Sequence, residues 1–455
     1  MAKTQFVCSS CGYESAKWYG RCPNCQAWNS FSEVAAGASG PGGPPAWRGL
    51  DIATSSAPVE IGKIKSAGLT RLSTGFAEFD RVLGGGVVAG SAILLSGDPG
   101  IGKSTLLLQI AGNVTGGNVG KVGRQSKKGN GAGRKVLYVS GEESEGQIKI
   151  RAERIGISDK NNMLVMANGN IEQVIAAAEK SKPDFLIIDS IQTMSSDEFP
   201  GFAGSLPQLR HATSRIVSYA KKNSVPVFII GHVTKEGEIA GPMLLSHMVD
   251  CVLYLEGESL TGTKILRSFK NRFGDTTEVG IFVMEEKGLV EVSDSSNFFM
   301  ENSKKTVPGT CISIIMEGSR PLAVEIQALV VPSRLSFPRR VSNGISEKRV
   351  ELLLAVIQKH LKVPIDRMDV FINVVGGLKI TETGSDLAAC LAILSSYKNK
   401  AMPGTIAIGE VGLLGEVKKV INDQSRIKEA KKLGAKKIIS VENYKNLGDI
   451  IRNLW

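Results

Sequence analysis

Gly97-Asp98-Pro99-Gly100-Ile101-Gly102-Lys103-Ser104-Thr105 is the stretch whose reading decides the fold. The apolar run Ala92-Ile93-Leu94-Leu95 precedes it and has the character of a buried strand. Leu106-Leu107-Leu108-Gln109-Ile110 follows and reads as the start of a buried helix. Strand, glycine loop and helix in that order are the setting of a phosphate loop. Gly97, Gly100 and Gly102 let successive backbone N–H groups turn inward on a polyphosphate without side-chain clash. The helix N-terminus adds its partial positive charge. Lys103 is placed to reach the outer phosphates of ATP, and the Ser104 hydroxyl to ligate Mg²⁺.

Composition sets the frame around this loop. A chain of 455 residues, 42% hydrophobic and 22% charged, holds two or three globular domains with a sizeable core. Its net charge of +11 suits an anionic partner such as nucleic acid. No run approaches the ~18 continuous apolar residues of a membrane span. The stretch Met1-Ala2-Lys3-Thr4-Gln5-Phe6-Val7-Cys8 has no apolar signal core, so a cytoplasmic protein without membrane contact is expected. Cys251, Cys311 and Cys390 stand singly in apolar surroundings, which does not suit a disulfide framework.

The other four cysteines form two knuckles, Cys8-Ser9-Ser10-Cys11 and Cys22-Pro23-Asn24-Cys25. Two facing pairs of thiolates build a closed tetrahedral site that selects Zn²⁺ in a structural role. Trp18, Tyr19 and Trp28 are expected to pack on this small metal core. From Ala35 to about Pro58 the chain is rich in Gly, Ala, Ser and Pro, the composition of a flexible linker. A Gly- and Lys-rich segment between Gly116 and Gly133 reads as a surface insertion.

Several strand ends are expected to converge on the phosphate loop. Val136-Leu137-Tyr138-Val139 runs into Ser140-Gly141-Glu142-Glu143-Ser144, which puts two carboxylates where one can orient an attacking water. The other then caps the following helix; adjacency to the helix start favours Glu143 for the water. Phe185-Leu186-Ile187-Ile188-Asp189 is an apolar strand that delivers Asp189 to the Mg²⁺ shell. Leu209 to Ala220 has helical spacing, with Arg210 and Arg215 outside its apolar face. Val227-Phe228-Ile229-Ile230-Gly231-His232 ends where a γ-phosphate sensor sits, and a polar loop with Lys235 follows. A later strand runs into Lys270-Asn271-Arg272-Phe273-Gly274, whose two cations are spaced to point the same way.

The four-cysteine knuckle, phosphate loop, Ser-Gly-Glu-Glu-Ser and Lys-Asn-Arg-Phe-Gly, in this order, resemble the RadA (Sms) family of bacterial DNA-repair proteins. The resemblance covers essentially the whole chain, and Lys270 to Gly274 is its most specific mark. It implies an α/β fold: a RecA-like P-loop ATPase core between an N-terminal zinc module and a C-terminal α+β domain similar to Lon proteases. It further implies hexameric rings with ATP between subunits, and Lys270 and Arg272 acting on the γ-phosphate held by the neighbour. Such trans cations contribute ~10³–10⁵ in rate. The family's activity is DNA-dependent ATP hydrolysis driving branch migration and unwinding. Its implied partners are single-stranded and branched DNA and a RecA-type recombinase filament.

Lon proteases pair a Ser nucleophile with Lys. Here those positions fall on Gly384 and near Gln424, so peptidase chemistry is expected to be absent, with Ser385 the adjacent candidate. Arg334, Arg339, Arg340 and the lysines at 418, 419, 428, 431, 432, 436 and 437 are candidate DNA-phosphate contacts. The expected domains are a zinc module over 1–32, a linker over 33–66, the ATPase over 67–295 and the Lon-like domain over 296–455. Two other functions compete: an ATP-driven Lon-like peptidase and a KaiC-like signalling ATPase.

Overall fold

A computed structural model describes residues 71–116, 133–157, 162–199, 201–232, 245–257, 262–292 and 307–454, together with parts of the first 35. Much of the expected linker, the Gly- and Lys-rich insertion, and the loop with Lys235 lie outside the described residues, as do Cys11 and Cys25. The chain divides into one unit over 1–257 and 264–291 and a second over 258–263 and 292–455.

Near the N-terminus β1 (Thr4–Cys8) pairs antiparallel with β2 (Glu14–Ser15) and β3 (Phe31–Ala35). Strand β3 continues to Ala35, past the expected module boundary at residue 32. Cys8 and Cys22 are buried in a small cluster with Phe31. The Cys22 carbonyl accepts from the Gln26 N–H at 2.8 Å, closing a tight turn. Packing of the tryptophans on this cluster is corrected: Trp18 and Trp28 are 53% and 72% exposed. Trp28 instead lies under the Arg21 guanidinium, 5.7 Å away.

The ATPase sheet explains why its strands read as continuous apolar runs. Strands β4 (Ala92–Gly97), β5 (Val136–Ser140), β6 (Met163–Ala167), β7 (Phe185–Asp189), β8 (Val227–Ile230) and β9 (Cys251–Gly257) are mutually parallel. Antiparallel β10 (Thr263–Asn271) extends β9, followed by β11 (Val279–Glu285) and β12 (Gly288–Glu291). The order is β12-β11-β10-β9-β4-β8-β7-β5-β6. Parallel strands need crossover helices, and these cover both faces. On one face Ile93 and Leu95 meet α1 (Ala77–Val82), α2 (Lys103–Thr115) and α3 (Glu145–Arg154). On the other, Ala92 and Leu94 meet α4 (Ile171–Ser181) and α5 (Leu206–Asn223). The side chains alternate because the strand period is two. Arg210 and Arg215 are exposed, outside the apolar face of α5.

The second unit holds a mixed sheet built on the hairpin β13 (Thr310–Glu317) and β14 (Arg320–Pro332). β15 (Arg340–Asn343) and β16 (Met368–Val374) lie on one side, β17 (Thr405–Ala407) on the other. Helix α6 spans Glu347–Leu361 and α7 spans Asp386–Lys398. Every residue of α7 from Asp386 to Ser395 is buried, so it is a central helix, apolar nearly all round.

Candidate nucleotide site

The parallel strands all end on one side of the sheet, and the helix N-termini begin there, as in other open α/β folds that bind ligands at the carboxyl ends of their strands. The loop after β4 needs glycine for steric reasons. A Cβ on Gly97 would lie 2.2 Å from the Leu255 carbonyl oxygen, and one on Gly102 would meet Met284 Cε at 2.6 Å. Gly102 has φ of 114°, a conformation that disfavours any side chain. Helix α2 starts at Lys103 with its free N–H groups facing the loop.

Lys103 is buried, and its ammonium donates to the Gly97 and Asp98 carbonyls at 2.8 and 2.9 Å. Burial lowers its pKa to about 8, opposed by Asp189, then Asp98 and Glu142. Burial also lowers the His232 pKa, followed by the Lys103 charge, while Glu142 and Asp189 oppose it. Lys103, His232, Asp189 and Glu142 thus belong to one electrostatic cluster at the strand ends. A lysine surrounded by carboxylates, beside a glycine cradle, is a donor set that fits a Mg²⁺–triphosphate. Ser104 opens α2 next to Lys103, and Asp189 ends β7 with its carboxylate buried.

The two glutamates are held differently. Ser140 Oγ accepts from both of their amides, at 3.3 Å for Glu142 and 3.0 Å for Glu143. Glu142 is exposed, and its Oε1 accepts from Ser190 Oγ at 2.7 Å. Glu143 is half-buried and ion-paired with Arg151, Nη2 to Oε2, at 2.8 Å. Neither caps α3, contrary to expectation. Ser144 does so through a reciprocal capping box with Gln147. Of the two, Glu142 is the more exposed carboxylate, and Glu143 is the one engaged by Arg151.

Sequence reading missed Arg151, Tyr138 and Asp250. Tyr138 is fully buried and donates its hydroxyl proton to Asp189 Oδ2. Arg151 donates to the Tyr138 oxygen at 3.0 Å, and its Nη2 lies 3.6 Å from Asp189 Oδ2. A tyrosine inside an apolar strand and an arginine on a polar helix carry no local signal of this meeting.

The Lys270–Arg272 pair is not beside its own phosphate loop. Gly97 is level with Leu255 on β9, whereas Lys270 is level with Val252, at the opposite end of the same strands. Lys270 donates to the Ser246 and Val249 carbonyls at 2.7 and 2.8 Å. Arg272 Nη1 is 3.2 Å from Asp250 Oδ1. Asp250 is buried, accepts from the Ala92 N–H at 3.1 Å and also faces Lys221 at 3.5 Å. Both cations do point the same way, toward the segment that enters β9.

In the second unit, a Cβ on Gly384 would meet Arg426 Nη1 at 2.6 Å. The Arg426 side chain is 1% exposed. Its guanidinium donates to Glu382 Oε1 at 2.6 Å and to the Ile314 carbonyl at 2.7 Å. Gln424 bonds to Glu442 instead, at 2.9 Å. Ser385 is buried just before α7. Of the candidate DNA contacts, Arg334 and Arg339 are exposed, whereas Arg340 is tied to the Ile365 carbonyl at 2.7 Å.

Sheet, phosphate loop and carboxylate cluster define a RecA-like P-loop ATPase. Residues 63–238 match the family model of an AAA domain, and residues 6–33 match a rubredoxin metal binding domain. The chain is 44% identical to the DNA repair protein RadA of Bacillus subtilis (strain 168), over 96% of this chain and 93% of that protein. It is also 44% identical to the DNA repair protein RadA of Halalkalibacterium halodurans, over 98% of this chain and 93% of that one. The same identity holds for RadA of Streptococcus pyogenes serotype M6, with 97% and 93% covered. The chain belongs to the RadA family of DNA-repair proteins. Among the described residues, no helix is long and apolar enough to cross a membrane.

Proposed function

We propose that this protein is a DNA-dependent ATPase of recombinational repair that works as a ring motor, promoting branch migration and unwinding. One observation carries the ring: the Lys270–Arg272 pair lies at the far end of the strands from its own phosphate loop. The offset is three residues along the strand and two strand spacings across, roughly 10 Å by ~10 Å. A lysine side chain does not bridge that offset, which supports a nucleotide held by another subunit as the target of the pair. A head-to-tail seam builds a ring where the repeated rotation closes.

In this reading Gly97 to Thr105 cradle the triphosphate of ATP, with Lys103 leaving its carbonyl partners to meet the phosphate oxygens. Ser104 and Asp189 hold Mg²⁺, which supplies charge neutralisation at the phosphates when bound. Glu142 orients the water, and Lys270 and Arg272 of the next subunit face the developing charge. Cys8, Cys11, Cys22 and Cys25 hold Zn²⁺ in the N-terminal module. The DNA-bearing surface includes the exposed Arg334 and Arg339.

The peptidase reading is weaker because the place of a nucleophile at residue 384 is filled by the Arg426–Glu382 pair, which offers no general base. The KaiC-like reading gives no role to the zinc module. The deciding experiment measures ATP turnover with and without single-stranded DNA, on protein sized in parallel by light scattering. Stimulation of an assembled ring is expected. A monomer in the presence of ATP and DNA, with turnover indifferent to oligonucleotide, would overturn the proposal.

A further inference from the structure

Three carboxylates crowd the end of the sheet: Asp189, Glu142 and Glu143. From α3, Arg151 reaches two of them, Glu143 and Asp189. Arg151 follows Glu143 by eight residues, two helical turns on, and its guanidinium reaches back over the strand ends. It donates to Glu143 from Nη1 to Oε1 at 3.2 Å, and Nη2 lies 2.8 Å from Oε2 as an ion pair outside hydrogen-bond geometry. The same Nη2 donates to the Tyr138 hydroxyl, which donates in turn to Asp189 Oδ2. The side chain is 15% exposed, so these contacts are little screened by water. Its Nε is buried and has no partner among the described residues, leaving the terminal fork as the working part.

We infer that Arg151 is a positioning residue that sorts these carboxylates. It takes Glu143 out of reach of the substrate water, steadies Asp189 for the metal through Tyr138, and leaves Glu142 as the group that meets the water. The hydrogen-bond chain has a direction. Arg151 donates to Tyr138, so the tyrosine oxygen is occupied as acceptor and its proton points to Asp189. Asp189 Oδ2 is thereby held by Tyr138, with Arg151 Nη2 3.6 Å from the same oxygen, and the orientation of the carboxylate is fixed. Lysine is no substitute, because a single ammonium cannot hold the Glu143 carboxylate and the tyrosine oxygen in one planar fork. The inference rests on Asp189 serving Mg²⁺.

Two effects of Arg151 oppose each other, and the test separates them. A nearby positive charge repels Mg²⁺, whereas an outer partner that orients a ligand strengthens binding by ~10–100-fold. The experiment titrates Mg²⁺ into the full-length protein with a fluorescent ATP analogue and reads binding, not turnover. A parallel titration in EDTA measures metal-free nucleotide. Arg151→Gln and Tyr138→Phe should each raise the half-saturating Mg²⁺ concentration about tenfold. Metal-free binding should stay within about twofold, since Lys103 and the glycine loop are untouched. Tyr138→Phe keeps the buried ring, and it carries the test if Arg151→Gln fails to fold. Arg151→Lys should resemble Arg151→Gln. Tighter Mg²⁺ binding in either arginine variant, or an unchanged titration in Tyr138→Phe, would overturn the inference. Asp189→Asn is the control. If it leaves the Mg²⁺ titration unmoved, the assignment of Asp189 fails and the inference falls with it. If it shifts while Tyr138→Phe does not, the inference alone fails.

Discussion

If Lys270 and Arg272 serve the neighbour's nucleotide, two dead proteins must restore each other on mixing. Lys103→Ala removes the phosphate-loop ammonium but keeps the cation pair. Lys270→Ala with Arg272→Ala removes the pair but keeps the loop. Each homogeneous preparation should fall by ~10³-fold or more, since every seam lacks one half. In a randomly mixed ring a seam works when its loop comes from the second protein and its cations from the first. Each condition holds for half the positions at equal mixing, so about one quarter of wild-type turnover should return with a head-to-tail seam. A cis arrangement cannot give the same result, because every subunit of the mixture then stays defective. The assay is steady-state phosphate release across mixing ratios, after subunit exchange at low protein concentration, with a peak expected at the equal mixture. Activity that never exceeds the two separate preparations, in rings shown by native mass spectrometry to be mixed, would refute the trans geometry.

Three further outcomes follow from individual side chains. Glu142→Gln should lower turnover by ~10²-fold or more with nucleotide binding kept, while Glu143→Gln, at the Arg151 ion pair, should cost no more than about tenfold; the reverse order in single-turnover rates would restore Glu143 as the water-orienting group. The free protein's Lys103 is charged below its pKa of about 8 and neutral above it, so ATP affinity should weaken as pH rises through that value. The loss should be about tenfold per pH unit, and a Lys103→Arg variant, charged throughout, should lack that inflection in a fluorescence titration. Chelation should release about one zinc per chain and unfold the N-terminal module without lowering the melting temperature of the ATPase unit; absence of metal by elemental analysis would remove the zinc assignment.

How legible each feature was depended on how far apart its parts lie in the chain. The phosphate loop and the Asp189 strand were readable because each is a short-range pattern, whereas β6 and α4 were not read from the sequence. Neighbouring residues set backbone torsions, and the apolar period of a strand differs from that of a helix. Helix α7 illustrates the limit, since a helix apolar nearly all round has no face to read, and its central place is known only from what packs on it. The cap of α3 shows a competition: Ser144 and Gln147 outbid the glutamates because their spacing meets the free amides directly.

By itself, the sequence determined that a glycine cradle, a lysine and a strand-end aspartate would share one side of a parallel sheet, because backbone geometry over a few residues leaves little alternative. It also placed two cations side by side at 270 and 272. Only the tertiary structure decided which groups each side chain meets. Tyr138 and Asp189 are 51 positions apart and touch because β5 and β7 are adjacent; Arg272 and Asp250 are joined across the β9–β10 hairpin. Such meetings are set by strand order and register, which depend on the burial of the whole sheet, and no local pattern encodes them.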